Sequence, residues 1–215
     1  MRRLNVINYI LYFHDFFSYV YCCILFKKKA NMDSNTINYN EEVLKAGLIV
    51  SGVSILLTMI VYIVDLELMV SGWFGFFAFA LSMGLVIYTG ISYRNAIGGY
   101  ISYKNSLIFT FLVLLISYVV GSIFNLLLYN VIDPSLPEVM KELTIENTVP
   151  MLESFGTPQE AIDEAIIGIE KGIDEGATIS GVLKNSPIGI IVILVFALIA
   201  SIFVKKNEPV SDRIN

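Results

Sequence analysis

Four long runs of uncharged, almost wholly apolar residues limit what this chain can fold into more than any other feature. Each run holds at least 18 residues, the length at which a helix rising 1.5 Å per residue crosses a hydrocarbon core about 30 Å thick. A helix on the core of a soluble protein has a polar stripe, whereas these runs are apolar on all sides. They predict membrane spans at residues 46–64, 71–91, 106–129 and 187–204.

The overall composition agrees with this interpretation. Only 15% of the residues are charged and 56% are hydrophobic, while soluble domains carry about 25% charged residues. The alternative, a soluble protein with four buried helices, is disfavoured. We therefore predict an all-α membrane protein in which residues 46–204 form a four-helix membrane domain.

Residues 1–31 do not match the pattern of the four spans. His14 and Asp15 stand at the centre of their apolar run, and an Asp at the bilayer centre costs about 2.5–3.5 kcal/mol. The segment also lacks the small-residue cleavage site of a secretory signal. We expect translation to start at Met32, with a fifth span or an interfacial anchor as the alternative. The adjacent Cys22 and Cys23 cannot staple distant parts of a fold.

The distribution of charge predicts the orientation. Lys and Arg mark cytoplasmic loops, and they follow spans two and four, where Arg94, Lys104, Lys205 and Lys206 lie. Loop 130–186 instead holds eleven acidic and three basic residues, a net charge of −8. We expect this loop outside an inner membrane and both termini inside. Residues 32–45 then form a polar cytoplasmic lead-in and residues 205–215 a cytoplasmic tail.

The acidic loop contains a predicted amphipathic helix at 157–175. Thr157 and Glu160 have the spacing of a capping box, with Pro158 at the first helical position. Four isoleucines share one face at helical spacing and acidic residues occupy the other, on which Ile167 is the exception. The isoleucines of the apolar face are Ile162, Ile166, Ile169 and Ile173.

A second short helix is predicted before the first. Helix-start residues follow Asp133, and Pro150 should interrupt or kink the helix. Residues 133–176 then form a two-helix acidic segment joined at Gly156. Its apolar face could rest on the outer ends of the spans, lie on lipid or pair with another copy. Packing on the bundle is favoured, because an anionic helix binds anionic lipid poorly.

Three short stretches in this layout carry a family resemblance. They are "GGYISYKNSLIF" before span three, "NVIDP" after it and "FGTPQEAIDEAIIGIEKG" before span four. In these stretches, and in its four spans, the chain resembles the bacterial domain-of-unknown-function family 4199 over about Glu41 to Lys206. The resemblance implies a small integral membrane protein and carries over no activity, cofactor or site residue.

The sequence offers no catalytic, cofactor-binding or metal-binding constellation. Its one histidine, His14, lies outside the four-span region, and Gly98-Gly99 lacks the Lys and Ser/Thr of a phosphate loop. Acidic pairs such as Asp163-Glu164 are typical of a solvated helix face and lack the converging oxygens of a cation site. We expect no enzyme activity and no cofactor. Binding of nucleic acid is not expected either, because the longest loop is acidic.

Polar residues within the spans are few. Ser117, Gly121 and Asn125 recur every four residues on span three, and Gly47, Ser51 and Ser54 or Thr58 form a similar face on span one. Small residues at this spacing allow helices to approach closely. A polar path for a solute is the alternative, but transporters that couple ions place an acidic or basic residue at mid-span, and these spans have none.

Two functions remain open at this stage. The first is a non-enzymatic membrane protein that binds a partner protein or another copy through the 157–175 helix. The second is a small oligomeric transporter or channel component that uses the face of Ser117, Gly121 and Asn125. Replacing Asn125 with Leu would abolish flux only if the second were correct.

Overall fold

The computed structural model describes residues 38–208, and every regular segment of this part of the chain is helical. Seven helices follow one another: α1 Tyr39–Val64, α2 Leu66–Val70, α3 Gly72–Ala96, α4 Tyr103–Leu127, α5 Leu136–Ser154, α6 Gln159–Gly176 and α7 Ile179–Val204. One π-helical turn, Leu128–Ile132, extends α4.

Four of these helices are long and apolar enough to cross a membrane. They are α1, α3, α4 with its π-helical extension, and α7. The four membrane helices predicted from the apolar runs are therefore confirmed for the described residues, and the chain has the helices of a multi-pass membrane protein. The short helix α2 connects α1 to α3, and the pair α5 and α6 connects α4 to α7.

The helices extend further into polar sequence than the apolar runs do. Helix α1 begins at Tyr39, inside the stretch expected as a polar lead-in, because Asn38 accepts a hydrogen bond from the Asn40 amide and caps it. At the other end of span four, α7 begins at Ile179, so Pro187 lies inside the helix rather than at its start. Proline leaves the carbonyl four residues earlier without its helical donor. The Ser186 hydroxyl donates to that carbonyl, of Leu183, at 2.8 Å.

Helix α4 is the centre of the bundle and packs against both α1 and α7. Hydroxyl groups reinforce these contacts, since Ser106 donates to the Ser201 carbonyl at 3.1 Å and Thr110 to the Ala197 carbonyl at 3.3 Å. Apolar side chains fill the space between the helices, with Phe109 and Val113 of α4 fully buried. Hydroxyl-to-carbonyl bonds of this kind stabilise helix contacts in a medium without water.

The two ends of the bundle differ in charge. At one end, a short antiparallel bridge joins Ile101 to Lys206, and Arg94 Nη1 donates to the Val204 carbonyl at 2.9 Å. The basic residues that follow spans two and four therefore share this end, which we call the basic end. At the opposite end, α5 packs on α2 and on α6. Helix α5 thus lies over the connection between α1 and α3, and α6 packs on α5 and α7.

Candidate functional site

Helices α5 and α6 form a hairpin, residues 136–176, which we call the cap. The chain reverses at Gly156, whose φ of +71° is a conformation that favours glycine. The amides of Gly156 and Thr157 donate to the carbonyls of Glu153 and Leu152 at 2.9 and 3.1 Å and close the end of α5. The sequence prediction of two short helices joined at Gly156 is confirmed.

One local prediction about the cap was wrong, and another was wrong in one of its two alternatives, the interruption of α5 at Pro150. The capping box does not form, because Pro158 has extended ψ of 145° and is itself the N-cap, with no side chain capping the helix. Thr157 is thus one residue too early to serve as the cap. Pro150 does not interrupt α5, which continues through it to Ser154.

Helix α6 has the two faces that its sequence predicts. Ile162 is 2% exposed, and the other three isoleucines of the apolar face are partly buried. Ile167 is 63% exposed and stands among charged residues three and four positions away. These neighbours are Asp163, Glu164, Glu170 and Lys171, all of them exposed. The outward face of α6 is therefore a charged surface with one large apolar side chain, Ile167, at its centre.

A lysine joins the two helices of the cap. Lys141 Nζ lies 2.8 Å from Asp174 Oδ1 on α6 and 3.2 Å from Glu138 Oε2 on its own helix. The hydrogen bond to Asp174, followed by the one to Glu138, raises the pKa of Lys141 above its ordinary value. The ammonium is thus held in its charged form between two carboxylates.

The start of α5 is anchored in the bundle. Leu136 is fully buried against Ile55 and Met59 of α1 and Phe124 of α4. Beside it, the Tyr62 hydroxyl donates to Asp133 Oδ2 at 3.0 Å. An apolar contact and a hydrogen bond therefore fix this end of the cap to the spans.

The end of α6 is anchored to α7 in a different way. Glu175 accepts hydrogen bonds from Asn185 Nδ2 at 2.7 Å and from Lys184 Nζ at 3.0 Å. These two bonds, with that of Asn185 the stronger cause, lower the pKa of Glu175. Asn130, next to α4, also donates to the Ala177 carbonyl at 2.9 Å. Because both ends are held, the cap has a defined position on the bundle.

The three residues proposed as a polar face in span three have different surroundings. Ser117 donates to the Gly47 carbonyl of α1 at 3.1 Å. A Cβ added at Gly121 would meet no atom within 4 Å. The Asn125 side chain lies near that of Tyr129, one turn further along the helix. Among residues 38–208, only the Ser117 end of this face donates a hydrogen bond to another helix. A further purpose of the face remains a prediction.

Gly47 also belongs to this contact between α1 and α4. The sequence indicates its role only through the small size of glycine. A Cβ at Gly47 would lie 2.6 Å from Ile116 Cγ2 and 3.3 Å from the Val113 carbonyl oxygen. Glycine is therefore required for the close approach of α1 and α4, which places the Gly47 carbonyl within reach of Ser117.

The sequence model of a protein family matches residues 45–206, which is most of the chain. That family is described as protein of unknown function (DUF4199). The chain belongs to this family. The resemblance drawn from the three short stretches is confirmed, and the match extends over all four long helices. Neither a curated protein nor a solved structure matches the chain.

In this DUF4199 protein, residues 38–208 contain no group of three or more His, Cys, Asp and Glu side chains placed to hold a metal ion. The acidic residues of α6 are spread along a helix face instead of converging on a point. The expectations about His14, Cys22, Cys23 and a start at Met32 fall on residues outside the described part of the chain. The cap is accordingly the best candidate for a functional surface.

Proposed function

We propose that this protein is a non-enzymatic, multi-pass protein of a bacterial inner membrane, and that its cap binds a protein partner. Both termini are cytoplasmic in this proposal and the cap is extracytoplasmic. The partner is another membrane protein or a second copy of the chain. It binds the outward face of α6.

The exposure of Ile167 carries the proposal. A helix that served only to cover the bundle would need no apolar residue on its polar face, and Ile167 is 63% exposed there. An apolar centre with a charged rim is the usual arrangement of a protein-binding surface. The anchors at Leu136 and Glu175 hold this surface in place, which lowers the ordering cost of binding.

The orientation is supported by the separation of charge between the two ends of the bundle. Arg94, Lys205 and Lys206 belong to the basic end, and the acidic cap lies at the opposite one. Cytoplasmic loops are enriched in Lys and Arg. A cysteine placed at Ala165 should therefore react with an impermeant thiol reagent added outside spheroplasts.

A transporter is the less favoured function because the polar groups between the spans are used within the bundle. Ser106, Thr110 and Ser117 each donate to a carbonyl of a neighbouring helix. Bonds of this kind hold helices together. The central parts of the four spans also carry no charged residue, unlike those of ion-coupled carriers.

Photo-crosslinking in native membranes tests the partner surface. A photoreactive residue at Glu164, on the outward face of α6, should give a crosslink to protein that mass spectrometry identifies as a partner or a second copy. The same residue at Ile199, which is exposed on span four, should give lipid adducts only. Lipid adducts or no adducts from position 164 would contradict the proposal.

Matched charge variants separate the binding surface from the general acidity of the cap. Glu160→Gln with Asp163→Asn removes two exposed charges from α6 and leaves position 164 for the photoreactive residue, and Glu142→Gln with Glu146→Gln removes two from α5. We expect the α6 pair to weaken the protein crosslink and the α5 pair to leave it unchanged. Equal loss from both pairs would mean that charge alone, rather than the face around Ile167, attracts the partner.

A further inference from the structure

A cleft opens at the basic end of the bundle, on the side opposite the cap. It consists of two adjoining hollows of about 340 and 240 Å³ that share Ile97, Ile101 and Asn105. The start of α1, the end of α3 and the start of α4 form its walls. Its volume is in the range of sites for small molecules and headgroups, and it lies where the apolar spans end.

The two hollows differ in chemistry. The larger is lined by apolar and aromatic side chains, with Asn105 as its one amide: Tyr39, Tyr93, Ile97, Ile101 and Ile108. The smaller contains Ser102, Asn105, Lys206 and Asn207, together with Glu208 as its one carboxylate. An amphipathic ligand fits this arrangement, with its apolar part toward Ile108 and its polar part toward Lys206.

Cationic groups surround the polar hollow and are held by aromatic rings. Lys206 Nζ lies 5.3 Å from the centroid of the Tyr100 ring, and Lys205 Nζ lies 5.8 Å from that of Tyr103. Contacts of this length are cation–π interactions. Glu42, which is close enough to act on Tyr93 of the larger hollow, is paired with Lys45 at 2.9 Å. Lys206 in the lining and the adjacent Lys205 therefore outnumber the carboxylate of Glu208, and the polar hollow favours an anion.

We propose that this cleft binds an anionic phospholipid. The phosphate accepts hydrogen bonds from Lys206 and Asn105, and the first part of an acyl chain lies against Ile97 and Ile108. Two of these apolar residues are more than a third exposed, so lipid can reach them from the side. Basic pockets between membrane helices bind anionic headgroups for the same electrostatic reason. The site is independent of the partner surface on α6.

Native mass spectrometry of the full-length protein, released from nanodiscs of phosphatidylglycerol and phosphatidylcholine, tests the site. Wild-type protein should retain phosphatidylglycerol in preference to phosphatidylcholine. Lys206→Gln should lower that retention about fivefold, the effect of losing one cation at an anionic surface. Lys104→Gln removes the same charge at the same end but outside the cleft lining, and should change retention less than twofold.

Three results would overturn the proposal. Equal retention of the two lipids would show that the headgroup charge is not recognised. Equal effects of Lys206→Gln and Lys104→Gln would show a diffuse electrostatic attraction without a site. Displacement of the lipid by excess inorganic phosphate would show that the cleft recognises free phosphate instead of a lipid.

Photo-crosslinking from Ile108 provides a readout that does not depend on charge. A photoreactive residue there should give a phospholipid adduct. Asn105→Leu should reduce the yield of this adduct. The thermal unfolding midpoint of the Asn105→Leu variant should stay near that of wild type, which shows that the variant is folded. Adducts to a peptide of the same chain, or of a second copy, would show that protein occupies the cleft and would overturn the lipid assignment.

Discussion

Lys141 on α5 and Asp174 on α6 form an ion pair of 2.8 Å that joins the two helices of the cap. Residues 130–186, which include the cap, contain eleven acidic residues and three lysines. Lys141 bridges α5 to α6, and Lys184 bridges α6 to α7 through Glu175. Two of the three lysines thus stand at the joints between helices, where they offset the repulsion among carboxylates that would drive the cap apart.

Replacing Lys141 with Met should loosen α6 from α5. The variant leaves Asp174 and Glu138 facing each other without a cation, so amide hydrogen exchange in α6 should become faster. Added salt screens repulsion between exposed charges and should slow the exchange again in the variant only. Lys171→Met removes the same charge from the exposed face of α6 and serves as the control. Equal acceleration in both variants would show that net charge, and not the ion pair, holds the helices together.

The attachment of α6 to α7 should weaken in acid. The pKa of Glu175 is lower in the folded protein than its ordinary value of 4.5. A carboxylate with a lowered pKa contributes stability above its unfolded pKa, and this contribution is lost as the pH falls through the folded value. Hydrogen exchange around residues 175–185, corrected for its intrinsic pH dependence, should therefore stay constant from neutral pH down to about 4.5 and increase below it.

The Glu175→Gln variant is the control for this pH dependence. It keeps a side chain of the same shape that does not titrate, so its exchange should start higher and should not show the additional increase in acid. If the variant showed the same increase as wild type, a carboxyl group other than that of Glu175 would be responsible.

The sequence predicted the elements of the fold better than their ends. Uncharged runs identify membrane helices because lipid excludes charge over a fixed thickness, and that rule holds for each span. The same rule does not predict where a helix ends outside the membrane. Helix α7 continues through Pro187 because Ser186 satisfies the carbonyl that proline leaves open, and such a bond depends on local geometry.

The cap shows the same limit. The isoleucine spacing of α6 predicted its buried face and the exposed position of Ile167. The anchors were missed, because the bonds of Glu175 to Lys184 and Asn185 require a turn whose geometry the sequence does not specify. A Cβ at Gly181 would overlap the backbone of Glu175, so glycine is what allows this turn. Gly181 is the single glycine between the cap and span four, and it was the one indication of this turn in the sequence. A small residue at this position is equally compatible with an ordinary loop.

Alanine at Gly47 should separate α1 from α4. Its Cβ would lie 2.6 Å from Ile116 Cγ2, and overpacking of this kind costs about 1–3 kcal/mol of unfolding free energy. The same change at Gly121 meets open space and should alter stability by less than about 0.5 kcal/mol. Denaturant titration in mixed micelles measures both.

The Gly121 control also tests the predicted small-residue face. If Gly121→Ala were neutral in micelles at low protein concentration but destabilising in crowded bilayers, the face of Ser117, Gly121 and Asn125 would be a contact between copies. If it were as destabilising as Gly47→Ala under both conditions, the packing of α4 would differ from the one described.

Two isoleucines of α6 separate folding of the cap from binding by the cap. Ile162 is 2% exposed and Ile167 is 63% exposed. Ile162→Ala should lower the unfolding free energy by about 2–5 kcal/mol, because it leaves a cavity. Ile167→Ala should change it by less than about 0.5 kcal/mol.

The yield of the protein crosslink from position 164 should depend on the two isoleucines in the opposite order. Each variant is compared with wild type at equal folded fraction. Ile167→Ala removes the apolar centre of the partner surface and should reduce the yield of the protein crosslink, since truncated central apolar residues are where binding energy is lost. Ile162 lies beneath that surface. Its replacement by Ala should therefore reduce the crosslink yield only through unfolding of the cap. An unchanged crosslink in the Ile167→Ala variant, with its stability intact, would contradict a partner surface centred on this residue.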